Sequence, residues 1–280
     1  MQQPLRKKYF SMDDSFKAED TAGYDLLVEL GSGISSFGII DRDKNLVTGI
    51  GSFENPVFSV LDEFRWLRNP FHSTKISLLN NRYTLIPEQL FIPEEKETYT
   101  SFLLDSRKEN EEIRSDRIEH AGIYSVYAIP EHFPDKLHSV LPDAKLYHIS
   151  GVLIRSLLVN FSHSLSSVQI FLNVRDEAFD LLIFSEKQLQ YCNSFNIRTP
   201  EDLVYYLIFV MEQLDLDPEV VPMFLLGEVS PDTPLFEIIF RYIRNVSFIP
   251  ATKNVQLSGV LDDLPSHQFY SLINMSLCGS

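Results

Sequence analysis

Apolar runs separated by short polar turns predict a three-stranded antiparallel meander in the first quarter of the chain. A helix should follow at once, because Asn55 can cap a helix and Pro56 suits its first turn. Apolar residues then recur at helical spacing from Val57 to Phe64. The segment therefore has the predicted order β-β-β-α, with its strands at Tyr24–Leu30, Ile34–Ile40 and Leu46–Ile50.

The same order recurs in the second half of the chain, with strands predicted at Val168–Val174, Phe179–Phe184 and Leu189–Asn193. Thr199 and Pro200 then open a helix, and Asp202 is placed to complete a capping box. Pro200 holds the same place in this order as Pro56 does in the first. The match predicts a duplicated chain, with a first half over residues 1–162 and a second half over residues 163–280.

Beyond each meander, apolar segments alternate with helices. Such alternation predicts parallel strands beside the meander. We therefore predict an α/β protein in which each half is a mixed five-stranded sheet with helices. The segments are Ile123–Ile129, Glu131–Val140, Lys145–Ile149 and Val152–Phe161 in the first half, and Val221–Leu226, Pro234–Tyr242 and Val246–Ile249 in the second.

Residues 71–118 have no counterpart in the second half, and we interpret them as an insertion in the first. Ile76–Leu79 and Tyr83–Ile86 predict a hairpin. Glu94–Asp105 predicts a short helix, and Lys108–Arg117 is strongly charged. The apolar content of the first part argues against a disordered linker.

Composition and charge narrow the function classes. The chain has 280 residues, of which 44% are hydrophobic, and a formal net charge of −15. A field of this sign repels phosphate backbones and anionic lipid surfaces, so we expect no nucleic-acid partner. No apolar run approaches the ~18 residues that span a bilayer, so we expect no membrane insertion. We interpret the basic cluster Arg6-Lys7-Lys8 as a solvated tail.

Cysteine use indicates a reducing compartment. Only Cys192 and Cys278 are present, and neither has the spacing of a zinc site. Because no apolar leader segment is visible either, the sequence predicts a cytoplasmic protein. His132, His138 and His148 lack an acid or cysteine at ligand spacing, and we expect them to be ordinary surface or core histidines.

The repeated order of a meander, a helix and alternating strands and helices resembles the actin-like ATPase superfamily, whose halves are ribonuclease-H-like. Its members include actin, the sugar kinases, the Hsp70 chaperones and pilus-assembly relatives. A closer resemblance is to the bacterial domain-of-unknown-function family 3822, which implies the same fold and no settled activity. The residues that carry this second resemblance are Asn193–Phe195, Thr199–Asp202, Tyr205-Tyr206, Glu212–Leu214 and Ser271–Cys278.

The superfamily resemblance implies a phosphate-binding turn of the form Asp-x-Gly-Ser/Thr in each half. Amides and the hydroxyl of such a turn hold phosphate, while the carboxylate acts through metal-bound water. The first turn here would run from Glu29 to Gly33, with Glu29 as the candidate catalytic carboxylate in place of Asp. Gly31, Ser32 and Gly33 would be the candidate phosphate ligands. Alternatively, the segment is a hairpin turn that uses glycine only to reach positive φ.

The second turn departs further from this pattern. At Asn173-Val174-Arg175-Asp176 an amide replaces the carboxylate, and Arg175 replaces the glycine. Arg175 could contact a phosphate or a carboxylate directly, or it could be a plain surface arginine. A third site, beside the adenosine in the superfamily, would fall at Gly227-Glu228, where one of two glycines is present. Asn173, Arg175, Asp176 and Gly227 are the candidate ligands for ATP with magnesium there.

Loss of both carboxylates should leave little hydrolysis, because each positioned catalytic group contributes orders of magnitude in rate. We therefore predict a catalytically degenerate binding or assembly module. The alternative is an ATPase or kinase-like phosphotransferase that binds ATP between the halves. A nuclease is not favoured, since Asp25 and Glu29 find no acidic partner at Gly38 or Ile39.

A protein partner remains as an expectation, and the sequence leaves the oligomeric state open. Leu90-Phe91-Ile92, within the predicted insertion, places large apolar groups near prolines. These side chains either pack under the insertion or form an exposed patch that binds another protein or a second copy of the chain. The charged residues 94–117 would then border that patch.

Overall fold

The computed structural model describes residues 4–103, 110–250 and 252–279. The strands found among these residues are β1 (Lys7–Met12), β2 (Tyr24–Leu30), β3 (Ser35–Asp41), β4 (Leu46–Phe53), β5 (Ser73–Leu78), β6 (Tyr83–Pro87), β7 (Glu111–Ile118), β8 (Ile123–Pro130), β9 (Ala144–His148), β10 (Gln169–Arg175), β11 (Ala178–Ser185), β12 (Gln188–Asn196), β13 (Met223–Gly227), β14 (Val246–Phe248) and β15 (Gln256–Leu257). The α-helices are α1 (Val57–Glu63), α2 (Lys96–Leu103), α3 (Phe133–His138), α4 (Ile149–Phe161), α5 (Pro200–Gln213), α6 (Pro234–Tyr242) and α7 (Tyr270–Asn274). Both predicted meanders and the helix after each are confirmed.

The described residues divide into two compact units. Unit 1 takes the chain up to Ser156, together with Lys253–Asp263 and the residues from Ser271 onwards. Unit 2 takes Leu157–Thr252 and Leu264–Tyr270. Both units are therefore discontinuous in sequence, and the chain returns from unit 2 to unit 1 at Lys253 and again at Ser271.

The main sheet of unit 1 has seven strands in the order β1-β4-β3-β2-β5-β9, with β15 beside β4. The predicted count of five is wrong for this unit, because β1 and β15 are added at the β4 edge. The solvated-tail interpretation of Arg6-Lys7-Lys8 is also wrong, since Lys7 and Lys8 begin β1. Apolar residues later in β1 anchor the strand by packing: Phe10 stacks on Phe64, with ring centroids 5.4 Å apart.

The predicted hairpin between Ile76–Leu79 and Tyr83–Ile86 is wrong. The first segment is β5, which pairs in parallel with β2 in the main sheet, and Ile76 is fully buried there. The second segment is β6, in a separate antiparallel sheet of order β6-β8-β7. Ile123–Ile129, predicted to be a parallel strand of the main sheet, is β8 at the centre of this small sheet. The predicted helix over 94–105 is present as α2, although residues 104 and 105 lie outside the described ranges.

Unit 2 contains the predicted five-stranded mixed sheet, in the order β12-β11-β10-β13-β14. Its meander is antiparallel, and β13 and β14 run parallel to β10. This is the same order as that of β4-β3-β2-β5-β9 in unit 1. The prediction that residues 71–118 have no counterpart in the second half is therefore wrong for β5, which holds the place in unit 1 that β13 holds in unit 2. The predicted capping box also forms: Thr199 Oγ1 accepts the Asp202 amide at 3.3 Å, and the Asp202 carboxylate accepts the Thr199 amide at 3.0 Å.

The last described residues cover one face of the main sheet in unit 1. A Cβ at Gly38 would lie in van der Waals contact with the side chain of Leu272, at 3.5 Å, so α7 packs directly on this part of the sheet. The Lys75 ammonium donates to the carbonyl of Ser276 at 2.7 Å. Because this ammonium is half-buried, its pKa is lowered from the ordinary lysine value.

A buried polar network joins the small sheet of unit 1 to its main sheet. Asp116 on β7 accepts the backbone N–H of His148 at 2.9 Å and the hydroxyl of Tyr127 at 3.1 Å. The His148 ring is fully buried and lies 2.8 Å from Ser150 Oγ. Burial raises the pKa of Asp116 to about 6. His148 is thus the core histidine that the sequence predicts.

Candidate functional site

The second predicted turn is the tight connection between β10 and β11 in unit 2. Arg175 pairs with Ala178, so only Asp176 and Glu177 lie between the strands, and Asp176 is exposed. Asn173, two residues earlier on β10, is only 3% exposed. The predicted residues of this turn therefore lie in different environments: Asp176 is in solvent, whereas Asn173 is buried in unit 2.

The carboxylate of Asp180 on β11 is the shared hydrogen-bond acceptor of the polar side chains around this turn. Strand register places it opposite Asn173 on β10 and opposite Ser194 on β12, so the three share one face of the sheet. The Asn173 amide donates to the Asp180 carboxylate at 2.9 Å, and the Ser194 hydroxyl also donates to it. Arg175 donates twice, at 2.7 and 3.0 Å, in a bidentate ion pair.

This ion pair is largely withdrawn from solvent, with the side chain of Arg175 13% exposed and that of Asp180 2% exposed. An aspartate buried to this extent is stable as an ion only when a cation and hydrogen bonds compensate its lost hydration. The interpretation of Arg175 as a plain surface arginine is therefore wrong. Its guanidinium is committed to a carboxylate of the same sheet.

Sequence reasoning missed Asp180 and Ser194. A usable signal was present, because Asp180 is the one charged residue in the apolar run from Phe179 to Phe184. A charge in such a run must find a partner. The partner could not be identified without the strand register, which brings Asn173 and Ser194 to either side of it.

Gly227 ends β13 beside the same turn. Its φ is +76°, and a Cβ there would lie 2.1 Å from the carbonyl oxygen of Val174, which explains the need for glycine. Its amide donates to the carbonyl of His267 at 2.9 Å, and the next amide, of Glu228, donates to Val174 at 2.8 Å. The backbone donors at the predicted third site therefore have partners within unit 2.

His267, whose carbonyl accepts the amide of Gly227, is itself fixed by its side chain. Its ring stacks on Phe248, with centroids 4.2 Å apart, and Nε2 lies 2.7 Å from the carbonyl oxygen of Val229, to which it donates. Burial lowers the pKa of His267, which favours the neutral ring. The segment Leu264–Tyr270 is thus a fixed part of unit 2 at this point.

The first predicted turn lies in unit 1 between β2 and β3. Leu30 pairs with Ser35, and the Gly31 amide donates to the carbonyl of Ile34 at 2.8 Å. Ser32 and Gly33 are exposed. The explanation of these glycines by positive φ is wrong, because neither takes a positive φ and a Cβ at Gly33 would meet nothing within 4 Å.

Glu29 lies at the end of a buried polar row below this turn. It is 8% exposed and pairs with Ser36 on β3 and with Ser77 on β5. Ser36 Oγ in turn donates to Ser52 Oγ at 2.9 Å. Register therefore gathers these polar side chains at one end of the main sheet, next to the exposed glycines.

The described ranges contain no group of three or more His, Cys, Asp or Glu side chains arranged to hold a metal ion. Within the same ranges, every helix falls short of the length and apolar character needed to cross a bilayer.

The fold is that of the actin-like ATPases. A solved protein of this fold and unknown function, from Bacteroides thetaiotaomicron VPI-5482, matches with a TM-score of 0.75 over 91% of this chain and 96% of that one, at 22% identity. A chain of the PilM–PilN type IV pilus biogenesis complex matches with a TM-score of 0.64 over 90% of this chain and 97% of that one, at 11% identity. At these identities the likeness extends to the fold alone.

The sequence also matches a family model, and by that match the chain belongs to the family described as protein of unknown function (DUF3822), over residues 13–246. The resemblance drawn from the sequence is thereby confirmed. No curated protein sequence matches the chain.

Proposed function

We propose that this chain is a catalytically degenerate actin-like module that binds or assembles with another protein and does not hydrolyse ATP. The observation that carries the proposal is the arrangement around Asp180. In this arrangement the amide of Asn173 and the guanidinium of Arg175 bind a carboxylate of their own sheet. A nucleotide phosphate at this turn would have to compete with that carboxylate.

The second turn does not fit a nucleotide phosphate. Freeing Arg175 would leave Asp180 buried and without its cation, which typically costs 3–5 kcal/mol. The negative charge of Asp180 would also repel an approaching phosphate. Gly227 adds to the argument, because its amide already donates to His267.

The neighbouring structures favour a role in assembly. One chain of the same fold occurs in a complex between two pilus biogenesis proteins. A fold does not determine a function, so this supplies only a precedent for partner binding on the scaffold. We further propose that residues 1–162 and 163–280 are duplicated halves and that the protein works in the cytoplasm. The shared strand order of the two sheets supports the duplication.

A second candidate function is nucleotide binding or phosphotransfer at the first turn. The specific observation is that Gly33 has neither positive φ nor a crowded Cβ position, so folding alone does not explain it. Glycines whose backbone stays open are typical of loops that approach phosphates closely. Ser32 and Gly33 would hold the phosphate, Gly31, whose amide donates to Ile34, would shape the loop, and Glu29 would orient a magnesium-bound water.

A thermal-unfolding experiment with ATP and magnesium distinguishes the two candidates. A site that binds ATP should stabilise the fold by about 2.7 kcal/mol when the ligand is at about 100 times its Kd. The degenerate module should give no shift. A shift that disappears in Ser32→Ala but persists in Ser101→Ala, an exposed serine elsewhere in unit 1, would refute our proposal in favour of the second candidate.

A further inference from the structure

Two large apolar side chains stand exposed on the segment between β6 and α2. Leu90 is 66% exposed and Ile92 is 52% exposed. Phe91 between them turns the other way and stacks on Tyr124, with ring centroids 3.8 Å apart. We call Leu90 and Ile92, with the backbone that carries them, the Leu90–Ile92 ridge.

The backbone of the ridge is held in place by Tyr99, a half-buried residue of α2. The hydroxyl of Tyr99 on α2 donates to the carbonyl of Leu90 at 2.8 Å and accepts the amide of Ile92 at 2.9 Å. Phe91 and Tyr99 also pack against the small apolar core of Ile86, Ile113, Val126 and Ala128. The two exposed side chains are therefore presented by a fixed backbone, which reduces the entropy lost when a partner binds.

The charge around the ridge indicates what it binds. Glu94, Glu95 and Glu97 follow it directly and are exposed, with only Lys96 among them. A second copy of the chain would bring like charge against this acidic border, which is unfavourable for a molecule whose net charge is −15. A segment with apolar side chains between lysines or arginines would match both the ridge and its border.

From these observations, and resting on the protein-binding role proposed above, we infer that the Leu90–Ile92 ridge is the docking site for a basic, apolar segment of a different protein. Leu90 and Ile92 supply the apolar contact that limits dissociation. Glu94, Glu95 and Glu97 supply attraction that speeds encounter and weakens with salt.

The test uses a phage-displayed library of random peptides selected on the intact protein. Enriched peptides should carry lysine or arginine around apolar residues. A synthetic peptide of the enriched class should lose about tenfold in affinity with Leu90→Asp or Ile92→Asp, measured by fluorescence anisotropy. Glu94→Lys should also weaken it. Raising the salt from about 0.1 M to about 1 M, where the screening length falls from about 10 Å to about 3 Å, should weaken it further.

Matched variants separate the possible failures. Phe209 on α5 is 50% exposed and stacks on the 67% exposed Tyr205, so Phe209→Asp makes the same type of change on unit 2. If Phe209→Asp abolishes peptide binding and Leu90→Asp does not, the ridge is wrong while the protein-binding role stands. Circular dichroism must first establish that each variant is folded. Leu90→Ala gives a milder change at the same position.

Two further outcomes would overturn the inference. Enrichment of acidic or uncharged peptides would mean that the border does not select the partner. A dimer of the wild type that Leu90→Asp converts to monomer, measured by analytical ultracentrifugation, would assign the ridge to a second copy instead. If no peptide is enriched on the wild type, the ridge is not a peptide-docking site.

Discussion

Removing the Asp180 carboxylate should strongly destabilise unit 2. In Asp180→Ala the guanidinium of Arg175 and the amide of Asn173 lose their acceptor inside a region that is almost free of solvent. Removal of one member of a buried ion pair typically costs 3–5 kcal/mol, a large part of the 5–15 kcal/mol by which whole domains are stable. The free energy of unfolding, measured by urea denaturation with circular dichroism, should fall by about that amount.

Two controls decide whether the buried charge is the cause. Asp176→Ala removes an exposed aspartate from the same turn and should change stability by no more than about 0.5 kcal/mol. The double variant Asp180→Leu/Arg175→Met leaves no lone charge and should recover part of the loss, since apolar replacements of buried pairs are often neutral. The recovery should be incomplete, because Asn173 and Ser194 still lose the acceptor that Asp180 provides. Hydrogen exchange should place the loosening on β10 and β11. A loss below about 1 kcal/mol in Asp180→Ala would refute the reasoning.

Three further predictions follow from local geometry. Gly227→Ala should lower the free energy of unfolding, measured by urea denaturation, by at least about 2 kcal/mol, because a Cβ there would collide with backbone at a residue of positive φ. Gly33→Ala should leave that free energy nearly unchanged, because a Cβ there meets nothing within 4 Å. A large loss of stability in Gly33→Ala would contradict this account. Because burial raises the pKa of Asp116 from 3.8 to about 6, the folded state binds this proton more tightly. Stability from this group should therefore increase as the pH falls from about 6 to about 4, by at most about 3 kcal/mol, and Asp116→Asn should remove that slope in denaturation curves measured across this range. Phe91→Asp should lower the melting temperature by several degrees, since Phe91 packs on the small apolar core. Leu90→Asp should leave the melting temperature nearly unchanged, because Leu90 is exposed. Equal shifts in the two variants would show that the difference in burial is irrelevant.

The meanders could be predicted because their information is local. Apolar runs such as Tyr24–Leu30, bounded by polar turns, specify both the strand and its neighbour in sequence. Pro56 and Pro200 likewise mark where helices begin. β5 could not be assigned in the same way, because a parallel partner lies far along the chain. The nearby segment Tyr83–Ile86 offered a false partner at hairpin distance.

The candidate site was predictable in its loops and not in its chemistry. The resemblance to the actin-like ATPases implies candidate residues at Gly227 and at the turn after Asn173, and the structure places them side by side. The role of Asp180 depends on strand register, because register places it opposite Asn173 on β10 and opposite Ser194 on β12. A shift of register by one residue would turn it to the other face of the sheet, and sequence patterns alone do not fix register to that accuracy.

The discontinuity of unit 1 has a consequence for how the protein is made. Its main sheet takes β15, and the covering residues of α7 from Ser271 onwards, from chain that follows Thr252. During translation, the residues of unit 2 up to Thr252 leave the ribosome before these last pieces of unit 1 exist. Leu272, which covers the face around Gly38 in the finished protein, is therefore synthesised only after the whole of Leu157–Thr252. The unit that begins first is the one that is completed last.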